Sequence, residues 1–151
     1  MQRVTQASVT VDGVVVGKIT EGFLLLVGIT VTDTPKIVKK MAVKCSSLRI
    51  FEDEDGKMNK CIHDVLGSVL SISQFTLYAN CRKGRRPSFD EAAKSDIAKP
   101  LYELFNQTLK EQDIVVETGI FQADMKVELL NDGPVTIVLD SKELGMEDRY
   151  E

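Results

Sequence analysis

The chain has 151 residues, 43% hydrophobic and 28% charged, with a net charge of −4, a composition that suits one soluble domain and argues against non-specific nucleic-acid binding over the whole surface. Its longest apolar run, Phe23 to Ile29, is too short to cross a bilayer as a helix, and no secretory leader pattern opens it. Three widely spaced cysteines without a Cys-x-x-Cys point to a reducing, cytoplasmic setting rather than a disulfide framework.

A β pattern begins at once. Val9 and Val11 alternate with polar residues, Asp12-Gly13 is a hairpin turn, and Val14 to Ile19 returns as a second strand. Phe23 to Ile29 reads as a strand buried on both faces. Asp33-Thr34-Pro35 starts a helix, with a capping side chain followed by proline, and Ile37, Val38, Met41, Ala42, Cys45 and Leu48 form its apolar stripe. Leu48 to Phe51 reads as a short strand before the turn Asp55-Gly56. Val69 to Leu77 follows as a strand with Val69, Ser71, Ser73, Phe75 and Leu77 on one face. Leu101, Leu104, Phe105, Thr108 and Leu109 mark an amphipathic helix with Pro100 close to its start. Ile114 to Glu117, Met125 to Leu130 and Val135 to Leu139 read as strands, the last two joined through Asn131-Asp132-Gly133-Pro134.

The expected architecture is α+β: one domain of mixed and antiparallel sheet in a barrel-like arrangement, packed with two main helices. Residues 1–141 form that domain, and the acidic residues 142–151 read as a flexible tail. Charge is segregated. Arg82-Lys83-Gly84-Arg85-Arg86 puts four cations in five residues, whereas acids gather at Glu52 to Asp55 and in the tail.

Several generic motifs fail on spacing. Gly13 to Lys18 is one residue short of a phosphate loop and lacks the following Ser or Thr. Asp53-x-Asp55-Gly56 resembles part of a calcium loop, but Phe51 and Ile62 occupy its first and twelfth ligand positions. Cys61-x-His63 has no further ligands at zinc spacing, so no metal or other cofactor is expected. His63 is the single histidine, so a serine or cysteine hydrolase would need it beside Ser73 or Cys81. A hydrolase built on this sequence otherwise works without a histidine base.

Two segments exceed what folding demands. Ser73-Gln74-Phe75-Thr76 is a polar end to an apolar strand, beside the basic loop, and Asn131-Asp132-Gly133-Pro134 interrupts the last strands. Each alone is compatible with an edge strand or an ordinary turn. Together they resemble the hallmarks of the D-aminoacyl-tRNA deacylase family. Ordered matches along nearly the whole chain extend the likeness: Gln2-Arg3-Val4, Arg49-Ile50-Phe51, Gly56-Lys57-Met58, Arg86-Pro87-Ser88-Phe89 and Gly119 to Met125.

The resemblance implies a homodimeric hydrolase that releases D-amino acids, and glycine, from tRNA. By the same resemblance Ser73, Gln74, Phe75 and Thr76 form the catalytic pocket wall. Gly133 and Pro134, joined by a cis bond, reach into the partner's pocket and face the substrate's chiral centre. Phe121 and Met125, with Ala92 as a further candidate, hold the terminal adenosine, and Arg3 orients the Gly-Pro segment. Mirror-image esters carry identical atoms, so discrimination needs a wall that one hand strikes. Glycine lets backbone approach closely and proline locks φ. Backbone N–H groups near Phe75 and Thr76 would stabilise the oxyanion, with the tRNA's own 2′-hydroxyl helping to activate water. A covalent Thr76 nucleophile is the second mechanism. Arg82, Lys83, Arg85 and Arg86 would contact tRNA phosphates. Neither DNA nor a membrane is an expected partner. The rival from another class is a non-catalytic RNA-binding module of the same fold.

Overall fold

The computed structural model describes residues 1–147. Its elements are β1 (Gln2–Val11), β2 (Val14–Ile19), β3 (Gly22–Val27), α1 (Pro35–Ser47), β4 (Phe51–Glu52), β5 (Met58–Lys60), β6 (Ser68–Ser73), α2 (Ser95–Glu111), β7 (Val115–Thr118) and β8 (Lys126–Thr136). β1 and β2 form the expected hairpin. Asp12 and Gly13 both have positive φ, 49° and 78°, as a type I′ turn requires to match strand twist. Thr34 caps α1, its side chain accepting the Ile37 N–H at 3.3 Å, with Pro35 opening the helix.

The main sheet is mixed. β8 pairs antiparallel along one edge of β1, and β3 and β2 share the other edge. β3, β6 and β7 run parallel to one another. β2 curls round to touch β6 and β7, and Gly17 lies so close to the Thr118 carbonyl that an added Cβ would come within 2.8 Å. The sheet thereby becomes a nearly closed barrel. Alternation along the strands sorts side chains between two cores. Val4, Ala7, Val9, Leu24, Leu70 and Ile72 fill the barrel. Phe23, Leu25 and Val69 face outward and pack with Val38, Ala42, Leu101, Phe105 and Leu109 of the two helices.

Five boundaries differ from the sequence expectation. The strand expected over Leu48 to Phe51 begins only at Phe51, because Leu48 caps the end of α1, and it runs to Glu52. The strand expected over Val69 to Leu77 stops at Ser73, and Phe75–Tyr78 forms a 3-10 turn. β3 likewise ends at Val27 rather than Ile29. α2 begins at Ser95, which puts Pro100 in its second turn instead of at its start. The segments 125–130 and 135–139 are not a hairpin. Both lie against β1, where Val4 faces Asn131 and Gln2 faces Thr136, and the pairing continues through mutual bonds between Met1 and Ile137. β1 advances two residues there while β8 advances five, so Asp132 to Val135 bulge out of the ladder.

The flexible tail expected over 142–151 falls in part on 148–151, which lie outside the described residues. Before them, residues 141–147 contain a turn closed by Leu144 N–H to Asp140 O (3.0 Å) and Met146 N–H to Ser141 O (2.9 Å). Among the described residues no helix is long and apolar enough to cross a membrane.

Candidate active site

The three parallel strands end at one place, and the segments leaving their carboxyl ends enclose a cavity of about 440 Å³. Val27 and Ile29 come from the end of β3, Ser73 to Thr76 from the end of β6, and Phe121 to Ala123 with Met125 from the segment after β7. Crevices at strand carboxyl ends are the usual ligand sites of parallel sheets, because the chain diverges there and leaves backbone groups unpaired. The Gln74 N–H still donates to Val27 O at 2.8 Å, the last link between β6 and β3. The chain then turns, and the first N–H groups of that turn, Phe75 and Thr76, have no acceptor within it. Gln74 donates from Nε2 to Thr76 Oγ1 at 3.0 Å, which fixes both polar side chains at the cavity wall.

Ser73, Gln74, Phe75, Thr76, Phe121 and Met125 therefore meet in space. Ala92 does not line this cavity: it is half-buried and bridged to Thr30, and its neighbour Ala93 lies in the wall instead. Sequence reading also assigned no role to Ser95 and Ala98, which complete the wall from α2. Ala98 was hard to single out because a small residue at a core position of a helix is ordinary packing. Gly119 clears the way for Met125, since a Cβ there would collide with the Met125 sulfur.

Among the described residues, the cavity wall contains no histidine, carboxylate, lysine or arginine. His63 lies elsewhere. Its Nε2 bonds the Gln112 carbonyl beyond α2, and its Nδ1 lies 3.9 Å from Cys61 Sγ. It precedes the start of β6, whereas Ser73 ends that strand, five residue steps or roughly 16 Å away at about 3.3 Å per residue. Histidine-based catalysis through Ser73 is therefore not assembled, and the thiol beside His63 is that of Cys61 rather than Cys81. Accordingly His63→Ala is expected to retain at least half of the ester-hydrolysis rate, measured as kcat/KM. Cys45 is free, buried and pushed up to about 12 by burial, which removes it as a nucleophile at neutral pH. It lines a separate cleft of about 230 Å³ whose walls are largely apolar, including Leu25, Val38, Met41 and Phe105. Burial also raises the pKa of Asp33 at that cleft and pushes the Tyr78 phenol up to about 12.

The Asp132 to Val135 bulge is held from several sides. Arg3 is buried and donates from Nε to Asp132 O and from Nη1 to Ile50 O, both at 2.8 Å. Its Nη2 lies 3.6 Å from Glu52 Oε1. Asn131 closes the loop by accepting the Val135 N–H (2.7 Å) and donating to Val135 O (3.2 Å) and Thr136 Oγ1 (3.1 Å). Gly133 and Pro134 at its tip are exposed, and the bond between them is cis. Neither lines the cavity of its own chain.

The basic loop leaves directly from the site. Asn80 and Ser88 exchange backbone bonds of 2.7 and 2.9 Å that close its base, and Phe89 packs edge-on against Phe75 with ring centroids 5.1 Å apart. Arg82, Lys83, Arg85 and Arg86 are all exposed.

Known proteins are similar to this chain in sequence and fold. A D-aminoacyl-tRNA deacylase of Exiguobacterium sibiricum is 57% identical over 140 residues, covering 93% of this chain and 97% of that protein. The Thermus aquaticus D-aminoacyl-tRNA deacylase is 58% identical over 143 residues, covering 95% and 94%. Among solved structures, one titled c-Myc DNA Unwinding Element Binding Protein superposes with a TM-score of 0.86 at 40% identity, over 92% of this chain and 95% of that one. A probable eukaryotic D-amino acid tRNA deacylase shares the fold, with a TM-score of 0.75 at 16% identity over 88% of this chain and 92% of its own. Residues 1–140 match the family described as D-Tyr-tRNA(Tyr) deacylase, and the chain belongs to that family.

Proposed function

We propose that the chain hydrolyses the ester bond of D-aminoacyl-tRNA, and of glycyl-tRNA, while leaving L-aminoacyl esters intact, and that it works as a homodimer. Each subunit's Gly133-Pro134 loop would complete its neighbour's pocket. The observation that carries this reading is the placement of the loop: its shape is set by Arg3 and Asn131, yet its tip is exposed and lies outside its own chain's cavity. A loop so fixed has a use only against something else. A groove of about 380 Å³ adjoins the cavity through Ser73, Gln74, Ala123 and Met125, and offers a partner's loop an approach to it.

Selectivity then follows from exclusion. A wall of backbone facing the substrate's α-carbon collides with a side chain of one hand and spares the other. Glycine, with no side chain, passes in either case, which is why glycyl-tRNA belongs among the substrates.

The reaction needs a water molecule to attack the ester carbonyl and the terminal tRNA hydroxyl to leave. The Phe75 and Thr76 N–H groups are suited to stabilise the oxyanion. Because no titratable side chain among the described residues lines the cavity, the substrate's own 2′-hydroxyl is suited to orient and activate the water. Thr76→Ala is therefore expected to leave the single-turnover rate within about fivefold of wild type, since its backbone N–H is retained. A rate lowered to the uncatalysed level would favour a covalent Thr76 instead.

Arg82, Lys83, Arg85 and Arg86 extend the site toward phosphates of the acceptor stem. Replacing all four with alanine is expected to raise KM by a similar factor for every aminoacyl-tRNA. Its salt dependence should flatten by roughly one unit of slope for each phosphate that is no longer neutralised. An effect confined to one amino acid would contradict this role.

The deciding experiment compares D-tyrosyl-, L-tyrosyl- and glycyl-tRNA in one hydrolysis assay. Loss of the D and glycyl esters with survival of the L ester supports the proposal. The similarity to a protein titled as a DNA-unwinding-element binder keeps a binding module as the second reading, and under it all three esters would survive.

A further inference from the structure

Helix α1 turns a face of one charge sign to solvent. After Pro35 its exposed residues are Lys36, Lys39, Lys40, Val43, Lys44 and Ser47, and Arg49 is exposed just beyond its end. No carboxylate occurs from Thr34 to Phe51, in a chain whose net charge is −4. At roughly 100° per residue the four lysines fall within an arc of about 140° and form one row. We propose that this face binds the phosphate backbone of the tRNA beyond its 3′ end, as a second contact besides the loop Arg82 to Arg86. The inference rests on the reading above that the substrate is an aminoacyl-tRNA.

Three observations support it. The first is that the pattern works against the helix that carries it. Lys36 and Lys40, and Lys40 and Lys44, are like charges four residues apart, and Lys36 stands in a first turn that has no acidic residue. Pair repulsion and the helix dipole both oppose that arrangement, so neither folding nor burial asks for it. The second is the contrast with α2, which packs beside α1. On and at the start of α2 the exposed cations Lys94, Lys99 and Lys110 stand against the exposed carboxylates Asp96, Glu103 and Glu111, a balance of zero. Solubility alone is met by such a mixture. The third is position. α1 continues the chain from β3, whose end supplies Val27 and Ile29 to the candidate active site, and Asp33 Oδ2 accepts the Thr30 N–H at 2.9 Å in the turn between them. The lysine row therefore starts at the active-site end of the sheet and runs about 12 Å from Lys36 to Lys44, at 1.5 Å per residue. Among the described residues Lys39, Lys40, Lys44 and Arg49 form no ion pair, so their field is open to a polyanion. The phosphate backbone is the polyanion that this substrate brings, and ammonium groups on it fix position without reading base sequence.

The test uses the variant Lys39→Gln, Lys40→Gln, Lys44→Gln, Arg49→Gln, which changes exposed side chains only. Binding of uncharged tRNA is measured by fluorescence anisotropy across a salt series, beside hydrolysis of D-tyrosyl-tRNA and of D-tyrosyl-adenosine, which has no phosphate. The Kd for tRNA and the KM for D-tyrosyl-tRNA are expected to rise about tenfold at moderate salt, and the slope of log affinity against log salt to flatten by roughly 0.7–0.9 for each phosphate no longer neutralised. The kcat and the turnover of D-tyrosyl-adenosine should hold, and Tm should stay level or rise, because the repelling pairs are gone. Replacing the three lysines by arginine keeps the charge and should keep both affinity and slope. Wild-type affinity with an unaltered slope in the glutamine variant overturns the proposal, as does an equal fall in turnover of both substrates. If wild type leaves D-tyrosyl-tRNA intact but binds tRNA with a salt slope that the variant loses, the α1 contact stands and the hydrolase reading fails. If the variant hydrolyses D-tyrosyl-tRNA with unchanged KM, the contact alone fails.

Discussion

Gly133→Ala is expected to lower kcat/KM for D-aminoacyl-tRNA by about 100-fold, because displacement of a positioning group by about 1 Å has an effect of that size. The backbone at Gly133 has φ +139°, a conformation that side chains rarely adopt. A Cβ there would also meet Val135 Cγ2 at 2.8 Å, Val135 N at 3.0 Å and Arg3 Nη2 at 3.1 Å. The loop tip must move, and with it the surface proposed to face the substrate. Stability should fall by only about 1–2 kcal/mol, since the strain is local and the tip is exposed. A thermal melt run beside the kinetics separates the two effects. The same variant tests whether the loop acts between subunits. It is mixed with a second protein whose pocket is blocked by Ala98→Trp, and protomers are allowed to exchange. If the loop serves the neighbour's pocket, each mixed dimer combines a sound loop with a sound pocket from different chains, and activity returns. If the loop serves its own chain, or the chain acts as a monomer, the mixture stays inactive.

Arg3→Ala is expected to destabilise the fold by about 2–4 kcal/mol and to impair activity along with it. Arg3 is 5% exposed, and its side chain holds together three parts of the chain that are distant in sequence: β1, the carbonyl of Ile50, and the carbonyl of Asp132 in the bulge. Its two carboxylate neighbours matter less. Glu52 and Asp132 have side chains more than half exposed, at 3.6 and 3.9 Å, and exposed ion pairs contribute little. The two carbonyl bonds decide the outcome, because alanine would leave both acceptors without their charged donor. Arg3→Lys should recover only part of the loss. One ammonium cannot reproduce the fixed fork that reaches Asp132 and Ile50 in different directions. Urea unfolding of the three proteins gives the stability order, and the prediction fails if lysine matches arginine in both stability and activity.

Much of the fold was readable along the chain. The Asp12-Gly13 turn, the Thr34-Pro35 helix start and the alternation of Val69, Leu70, Ser71 and Ile72 between two cores are local patterns, and the structure keeps them. Boundaries were less legible where tertiary pairing overrode local preference. Phe75, Thr76 and Leu77 are residues suited to a strand, but β3 ends at Val27 and offers no further parallel partner, so the chain turns. Asn131 to Pro134 has the composition of a hairpin turn. It is a bulge instead, because β1 is long enough to pair with the residues on both sides.

What the sequence determined by itself was the set of chemical groups: a polar segment with Ser73, Gln74 and Thr76, a Gly133-Pro134 corner, a cationic loop, and a single histidine, His63. Which of these groups meet was decided only by the tertiary structure. Phe121 and Ala93 stand beside Thr76 because three parallel strands end together, while His63 is left at the far end of β6 and Ala92 turns to pair with Thr30. Local patterns follow from backbone geometry a few residues at a time. The meeting of distant residues depends on strand order and register, which the whole chain sets through the burial of its two cores.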